Sequence, residues 1–233
     1  MKYIVCEEPT KLVLKEKEIP VKGAGEALLK IHRVGICGTD LHAYAGNQAF
    51  FNYPRILGHE LAAEILEIDH NDQGLRKGDK VIVMPYVSCG SCIACRAGKT
   101  NCCSNIKVLG VHADGGMQEV VSVSTDLLIL ANELTFNEMA IVEPLAIGAH
   151  ALRRSNVQGG DTIVVIGCGP IGIGLMKLAQ ITGANVIALD VNADRLRYVV
   201  DEIGVSYAID ALKDPSGQIS AITNTDMATA VFD

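Results

Sequence analysis

An apolar run of strand length, residues 161–166, leads straight into Gly167-Cys168-Gly169-Pro170-Ile171-Gly172, and residues 171–182 then carry helical periodicity up to Gly183. Strand, glycine-rich turn and helix in immediate succession leave few folds open to this half of the chain. The grammar then repeats. Residues 185–190 read as a second buried strand, and residues 194–203 as a helix stopped by Gly204. Residues 207–210 give a short third strand, and residues 229–233 begin a fourth. This alternation is that of a parallel, doubly wound sheet. In that setting Gly167, Gly169 and Gly172 fit G-x-G-x-x-G, with Pro170 and Ile171 opening a helix whose N-terminus favours a pyrophosphate. Asp190 ends the second strand, where a carboxylate accepts hydrogen bonds from adenosine ribose hydroxyls and repels a 2′-phosphate; this favours NAD over NADP. Arg195 is a candidate to lie along the adenine, with a solvated helix residue as the equal alternative.

The preceding residues follow a different rule. Residues 3–6, 12–16, 26–34, 61–68, 80–84 and 118–123 have the alternating or β-branched character of short strands, separated by polar and glycine-containing turns. Regular short strands predict a sandwich or barrel in place of a parallel sheet. The join falls in a helical stretch near residues 147–155, which divides the chain into a domain at 1–150 and a second at 151–233.

Five of the eight cysteines (Cys89, Cys92, Cys95, Cys102 and Cys103) lie within one short stretch. Two-residue gaps let successive thiolates converge on one tetrahedral ion, and soft thiolates in a closed four-coordinate set select zinc. Spacing alone leaves Cys102 and Cys103 as alternatives for the fourth ligand. A site of this kind holds a loop and performs no chemistry.

A second constellation begins at Gly35-Ile36-Cys37-Gly38-Thr39-Asp40-Leu41-His42 and continues at Gly58-His59-Glu60. One cysteine with one histidine is too little for a closed site, but it is the beginning of a catalytic one, which keeps three protein ligands and an open position. Glu143 stands in apolar company before Pro144, which is expected to push it out of helical geometry and leave a carboxylate in need of a partner. A metal would supply that partner; a helix-start glutamate stabilised by the dipole is the alternative.

Taken together, these motifs resemble the zinc-containing medium-chain alcohol and polyol dehydrogenases, over the whole chain and in the family's order. The resemblance implies a mixed β and α/β fold, a GroES-like β-barrel catalytic domain followed by a Rossmann domain. It implies two zinc ions per chain, with NAD as the cofactor and a small-molecule alcohol as the substrate. Cys37, His59 and Glu60 match the family's catalytic zinc ligands, and Glu143 the acidic position that binds zinc or leaves it. Cys89, Cys92, Cys95 and Cys103 match the structural zinc ligands. Thr39 and His42 match the proton relay, and Asp40 the carboxylate that orients the histidine ligand. Residues 46–55 and 108–116 are most similar to a branch that oxidises the secondary alcohol of a sugar acid. The resemblance also implies a homo-oligomer, since members of the family are commonly dimers or tetramers. The chain stops at Asp233, inside the fourth strand, which reads as an incomplete nucleotide domain.

Composition narrows the alternatives. A formal charge of −7 gives no basic stripe for nucleic acid. The most apolar stretch, residues 162–178, is broken by five residues of Gly or Pro and contains Lys177, which argues against a membrane span. The first residues have no extended apolar segment, so the expected location is the cytoplasm, where thiols stay reduced. Two readings of other classes compete: a zinc-stabilised scaffold without catalysis, and a thiol redox sensor built on Cys102 and Cys103.

Overall fold

The computed structural model describes residues 1–49 and 51–233; Phe50, which belongs to the segment 46–55 noted above, lies outside the described residues. The chain forms two compact units, Met1–Glu143 and Pro144–Asp233.

In the first unit, β1 (Lys2–Glu8) and β2 (Lys11–Glu16) form an antiparallel hairpin. β3 (Glu26–Gly35) is followed by helix α1 (Gly38–Ala45), then β4 (Glu60–Ile68) and β5 (Lys80–Val83). Two-residue strands β6 (Tyr86–Val87) and β7 (Lys107–Val108) pair with each other and flank the cysteine loop, which holds the short helix α2 (Ile93–Arg96). β8 (Val120–Ser124), β9 (Leu128–Leu130) and helix α3 (Phe136–Ala140) complete the unit. The main sheet is antiparallel in the order β8-β3-β4-β5-β9. Its pleat sorts side chains by parity. Leu61, Ala63 and Ile65 of β4 join the core with Leu29 and Val81, while Ala62 turns the other way onto Ile82 and the α3 residue Met139. Both faces of β4 are therefore covered along Leu61–Ala63, the apolar run in its sequence, whereas Glu64 is half-buried and Glu67 exposed further along.

Helix α4 (Val142–Ser155) begins at the unit boundary. Leu152 packs into the core of the second unit and Gly148 comes against the backbone of Leu175, so the division falls at the head of α4, ahead of residue 150. Glu143 lies inside the first turn of α4, not before it as Pro144 led us to expect. The reason is the missing proline N–H: in the first turn that donor has no intrahelical partner in any case.

The second unit continues with β10 (Thr162–Ile166), α5 (Pro170–Ile181), β11 (Asn185–Asp190), α6 (Ala193–Tyr198), β12 (Tyr207–Asp210), α7 (Pro215–Ile222) and β13 (Ala230–Phe232). α6 runs on through one π-helical turn, Val199–Ile203. The sheet is parallel throughout, in the order β12-β11-β10-β13. Alternate residues again feed separate cores. Ile163, Val165, Val186 and Ala188 meet Leu175, Met176 and Ala179 of α5, whereas Val164, Ile187, Leu189 and Ile209 meet Ile219 of α7. The chain builds outward from β10 to β12 and then crosses back to β13, which makes the carboxyl end of β10 a topological switch point, the place where open parallel sheets bind ligands. Among the described residues, no helix is long and apolar enough to cross a membrane.

Candidate metal centre and nucleotide turn

The thiol, imidazole and carboxylate of Cys37, His59 and Glu60 place one donor atom each within 4.8 Å of one another. Cys37 is the N-cap of α1, and His59 and Glu60 stand at the entry to β4. Asp40, 3% exposed, ties these two segments together: its Oδ2 accepts from the Cys37 N–H at 2.9 Å and its Oδ1 from the Gly58 N–H at 3.1 Å. The described hydrogen bonds of Asp40 thus go to the backbone that carries the donors. Gly35 makes room for the third donor. It pairs with Glu60 across β3 and β4, and a Cβ there would stand 1.9 Å from Glu60 Oε2.

The donors perturb one another. The Cys37 thiol lies below its ordinary pKa, chiefly through His59 and against the upward push of burial. Burial alone would depress His59, but Cys37, with the carboxylates of Asp40 and Glu143, holds the imidazole above its usual value. Glu60 is raised, first by burial and further by Glu143 and Asp40, with His59 opposing. His59 is buried and its Nδ1 has no hydrogen-bond partner among the described residues. An orphan of this kind costs about 1–3 kcal/mol. Crowded donors that perturb one another, a buried carboxyl raised by its surroundings and an unsatisfied ring are all relieved by a divalent cation, so this set fits a zinc ion with one position to spare.

Glu143 stands outside the three-donor group; its Oε1 accepts a hydrogen bond from the Tyr86 hydroxyl at 2.8 Å. Thr39 is half-buried in the first turn of α1. His42 is exposed, with Nδ1 3.0 Å from Asn47 Oδ1. Tyr86 is a residue that motif reading missed: it belongs to no ligand pattern and is found only through its cross-loop neighbour Glu143. Gly35 opens the ligand motif, but the room it makes for Glu60 is found only through the cross-strand pairing.

Cys89, Cys92, Cys95 and Cys103 form the second group, again within 4.8 Å of one another, while Cys102 is exposed and outside it. Two thiolates on one tetrahedral zinc at the usual Zn–S length stand about 3.8 Å apart. Cys92 and Cys95 are 3.5 Å apart, and Cys89 and Cys95 4.0 Å. Backbone N–H groups already address these sulfurs. Those of Cys95 and Ser104 bring Cys92 down to about 5, those of Ser91 and Cys92 bring Cys89 to about 7, and burial with the neighbouring thiols pushes Cys95 up to about 11.

In the second unit, Gly169 is the N-cap of α5 and Pro170 and Ile171 open the helix. A Cβ at Gly172 would stand 1.9 Å from the Gly167 carbonyl oxygen, so this position is closed to any side chain. Asp190, buried at the end of β11, accepts from the Cys168 N–H at 2.7 Å and the Asn192 N–H at 2.8 Å, with Arg195 Nη1 3.9 Å away and its side chain mostly exposed. Burial pushes Asp190 up, but those amides and Arg195 outweigh it and hold the carboxyl below its usual range. It is therefore an anion at neutral pH. Replacing Gly172 with alanine is expected to weaken NADH binding about tenfold or more, because the added methyl must displace the turn; fluorescence titration with NADH measures it, and an unchanged dissociation constant would discard the turn as the nucleotide site.

Residues 23–133 match the family description "Alcohol dehydrogenase GroES-like domain" and residues 170–233 match "Zinc-binding dehydrogenase". The chain is 42% identical over 233 residues to the L-galactonate-5-dehydrogenase of Escherichia coli K12, covering 100% of this chain and 68% of the relative. Among solved structures it is similar to an alcohol dehydrogenase, RspB, of Escherichia coli CFT073 in complex with NADH, with TM-score 0.88, 35% identity and coverage of 96% of this chain and 66% of that one. It is also similar to galactitol-1-phosphate dehydrogenase of Escherichia coli, with TM-score 0.89, 26% identity and coverage of 96% and 65%. The chain belongs to the zinc-type medium-chain alcohol and polyol dehydrogenase family.

Proposed function

We propose that this protein oxidises the secondary alcohol of a sugar acid, L-galactonate at its fifth carbon, with NAD as hydride acceptor. The observation that carries the reading is the three-donor set of Cys37, His59 and Glu60, which converges without a fourth member among the described residues. When bound, zinc supplies Lewis acidity that lowers the pKa of the substrate hydroxyl, and NAD takes up the hydride. Cys37, His59 and Glu60 hold the metal, while Asp40 keeps their two segments in register. Thr39, in the first turn of α1, relays the hydroxyl proton by passing on its own as it accepts the substrate's, and the exposed His42 receives the relayed proton and hands it to solvent. The lobe of Cys89, Cys92, Cys95 and Cys103 holds a second, structural zinc and takes no part in the chemistry. The similarity to L-galactonate-5-dehydrogenase supports the substrate, and the similarity to sorbitol and galactitol-1-phosphate dehydrogenases defines its competitors.

NADH formation by the full-length protein on L-galactonate, galactitol, galactitol 1-phosphate, sorbitol and L-threonine, with and without a zinc chelator, tests it. Chelator-sensitive turnover on the sugar acid alone is the expected result. Turnover on a polyol or threonine would replace the substrate, and turnover indifferent to complete metal removal would overturn the mechanism. Cofactor choice has its own check. Asp190→Ala is expected to lower the ratio of kcat/KM for NAD over NADP by about tenfold or more, since one unit charge facing a phosphate is removed. A ratio that does not move would take Asp190 out of the nucleotide site.

A further inference from the structure

Tyr86 has no place in the ligand motifs, yet its hydroxyl donates to Glu143 Oε1 at 2.8 Å. Glu143 is an acid close enough to the three donors for its charge to act on both His59 and Glu60. A carboxylate so placed is a competitor. Left free, it is drawn to a cation held by Cys37, His59 and Glu60, and would close the one position that an alcohol needs. Tyr86 is half of strand β6, and the pairing of β6 with β7 fixes its backbone at the foot of the cysteine lobe. The hydrogen bond is thus anchored on the Tyr86 side by the sheet pair and on the Glu143 side by the first turn of α4.

We propose that Tyr86 is a positioning residue that holds Glu143 off the metal, so that the fourth position stays open to substrate. This rests on the metal reading given above and adds a function for a residue outside the donor set. Tyr86 acts through Glu143 and touches neither substrate nor cofactor in this role. Removing its hydroxyl releases the carboxylate, which then enters the metal's coordination shell. Two consequences follow: substrate has to displace Glu143, and the metal gains a ligand.

The test uses Tyr86→Phe in the full-length protein, a change that deletes one oxygen from a side chain 38% exposed and keeps both ring and hairpin. The protein is loaded with cobalt(II), and the Cys37-dependent part of the visible spectrum is isolated by difference from Cys37→Ser. In Tyr86→Phe the cobalt bands are expected to weaken and shift as coordination number rises, metal release to a chelator to slow about tenfold, and substrate KM to rise about tenfold with kcat less affected. On a Glu143→Gln background, Tyr86→Phe is expected to do none of these, because the competing charge is already gone. Bands and release rate identical to wild type in Tyr86→Phe, or the same changes on the Glu143→Gln background, would overturn the assignment. A spectrum with no Cys37-dependent part would instead overturn the metal reading, so the two failures are distinguishable.

Discussion

Replacing Cys37 with serine is expected to abolish NAD-linked turnover and to lower bound zinc from two ions per chain to one, with the far-ultraviolet circular dichroism unchanged. Cys37 is the only soft ligand of the three-donor set and sits at the N-terminus of α1, where a thiolate is favoured by the helix dipole. Serine keeps the cap geometry and the Asp40 hydrogen bond to the backbone, but its hydroxyl is a poor zinc ligand. Losing a Lewis acid worth several kcal/mol corresponds to a fall of about three powers of ten or more in kcat. Metal analysis and initial rates measure both halves of the prediction. Full turnover with two zinc ions retained would show that Cys37 is not a ligand.

A different kind of loss is expected when the cysteine lobe is emptied, either with a chelator or by Cys92→Ser. Neither α2 nor the 3₁₀ turn at Thr100–Cys102 contains a buried residue, and Ile93 is 79% exposed. The lobe has almost no core of its own, and of its four converging cysteines only Cys103 is buried. Structural zinc supplies on the order of 10 kcal/mol to small domains that depend on it. Here the surrounding sheet persists, so the lobe opens locally. Tryptic cleavage after Arg96 and Lys99 should accelerate about a hundredfold or more, while the rest of the first unit remains protected. Unchanged protection in the metal-free protein would mean that protein contacts alone hold the loop. Reloading has a proton signature. At pH 7 Cys92, brought to about 5, is already a thiolate, whereas Cys95, pushed up to about 11, still carries its proton and must lose it to bind. Zinc uptake in weakly buffered solution should therefore release acid.

Much of this was legible in the sequence because the chemistry demands particular residue types at particular spacings. A tetrahedral thiolate site requires clustered cysteines, and a glycine-lined turn requires residues that leave room, as the 1.9 Å approach at Gly172 shows. The strands Asn185–Asp190 and Tyr207–Asp210 coincide with their sequence reading, since the sheet is covered on both faces by helices and its strands are correspondingly apolar. Short elements were not legible. α1 spans Gly38–Ala45 inside the ligand motif, too short for its apolar periodicity to stand out, and β9 has three residues with two of them exposed. Tyr86 was invisible for a deeper reason. Its importance lies in a hydrogen bond to a residue far along the chain, and no local pattern records that pairing.

The same carboxylate that is expected to read the ribose also holds two backbone amides, Cys168 on the glycine turn and Asn192 at the head of α6. Under the proposed reading of Asp190, cofactor preference and the rigidity of the glycine turn would rest on one side chain and would not be separate inheritances. A lineage drifting toward NADP through position 190 would then loosen the turn in the same step. It would need a compensating change within the turn before the new preference could be of use. On that reading Asp190 would act as a brake on divergence, through the main chain.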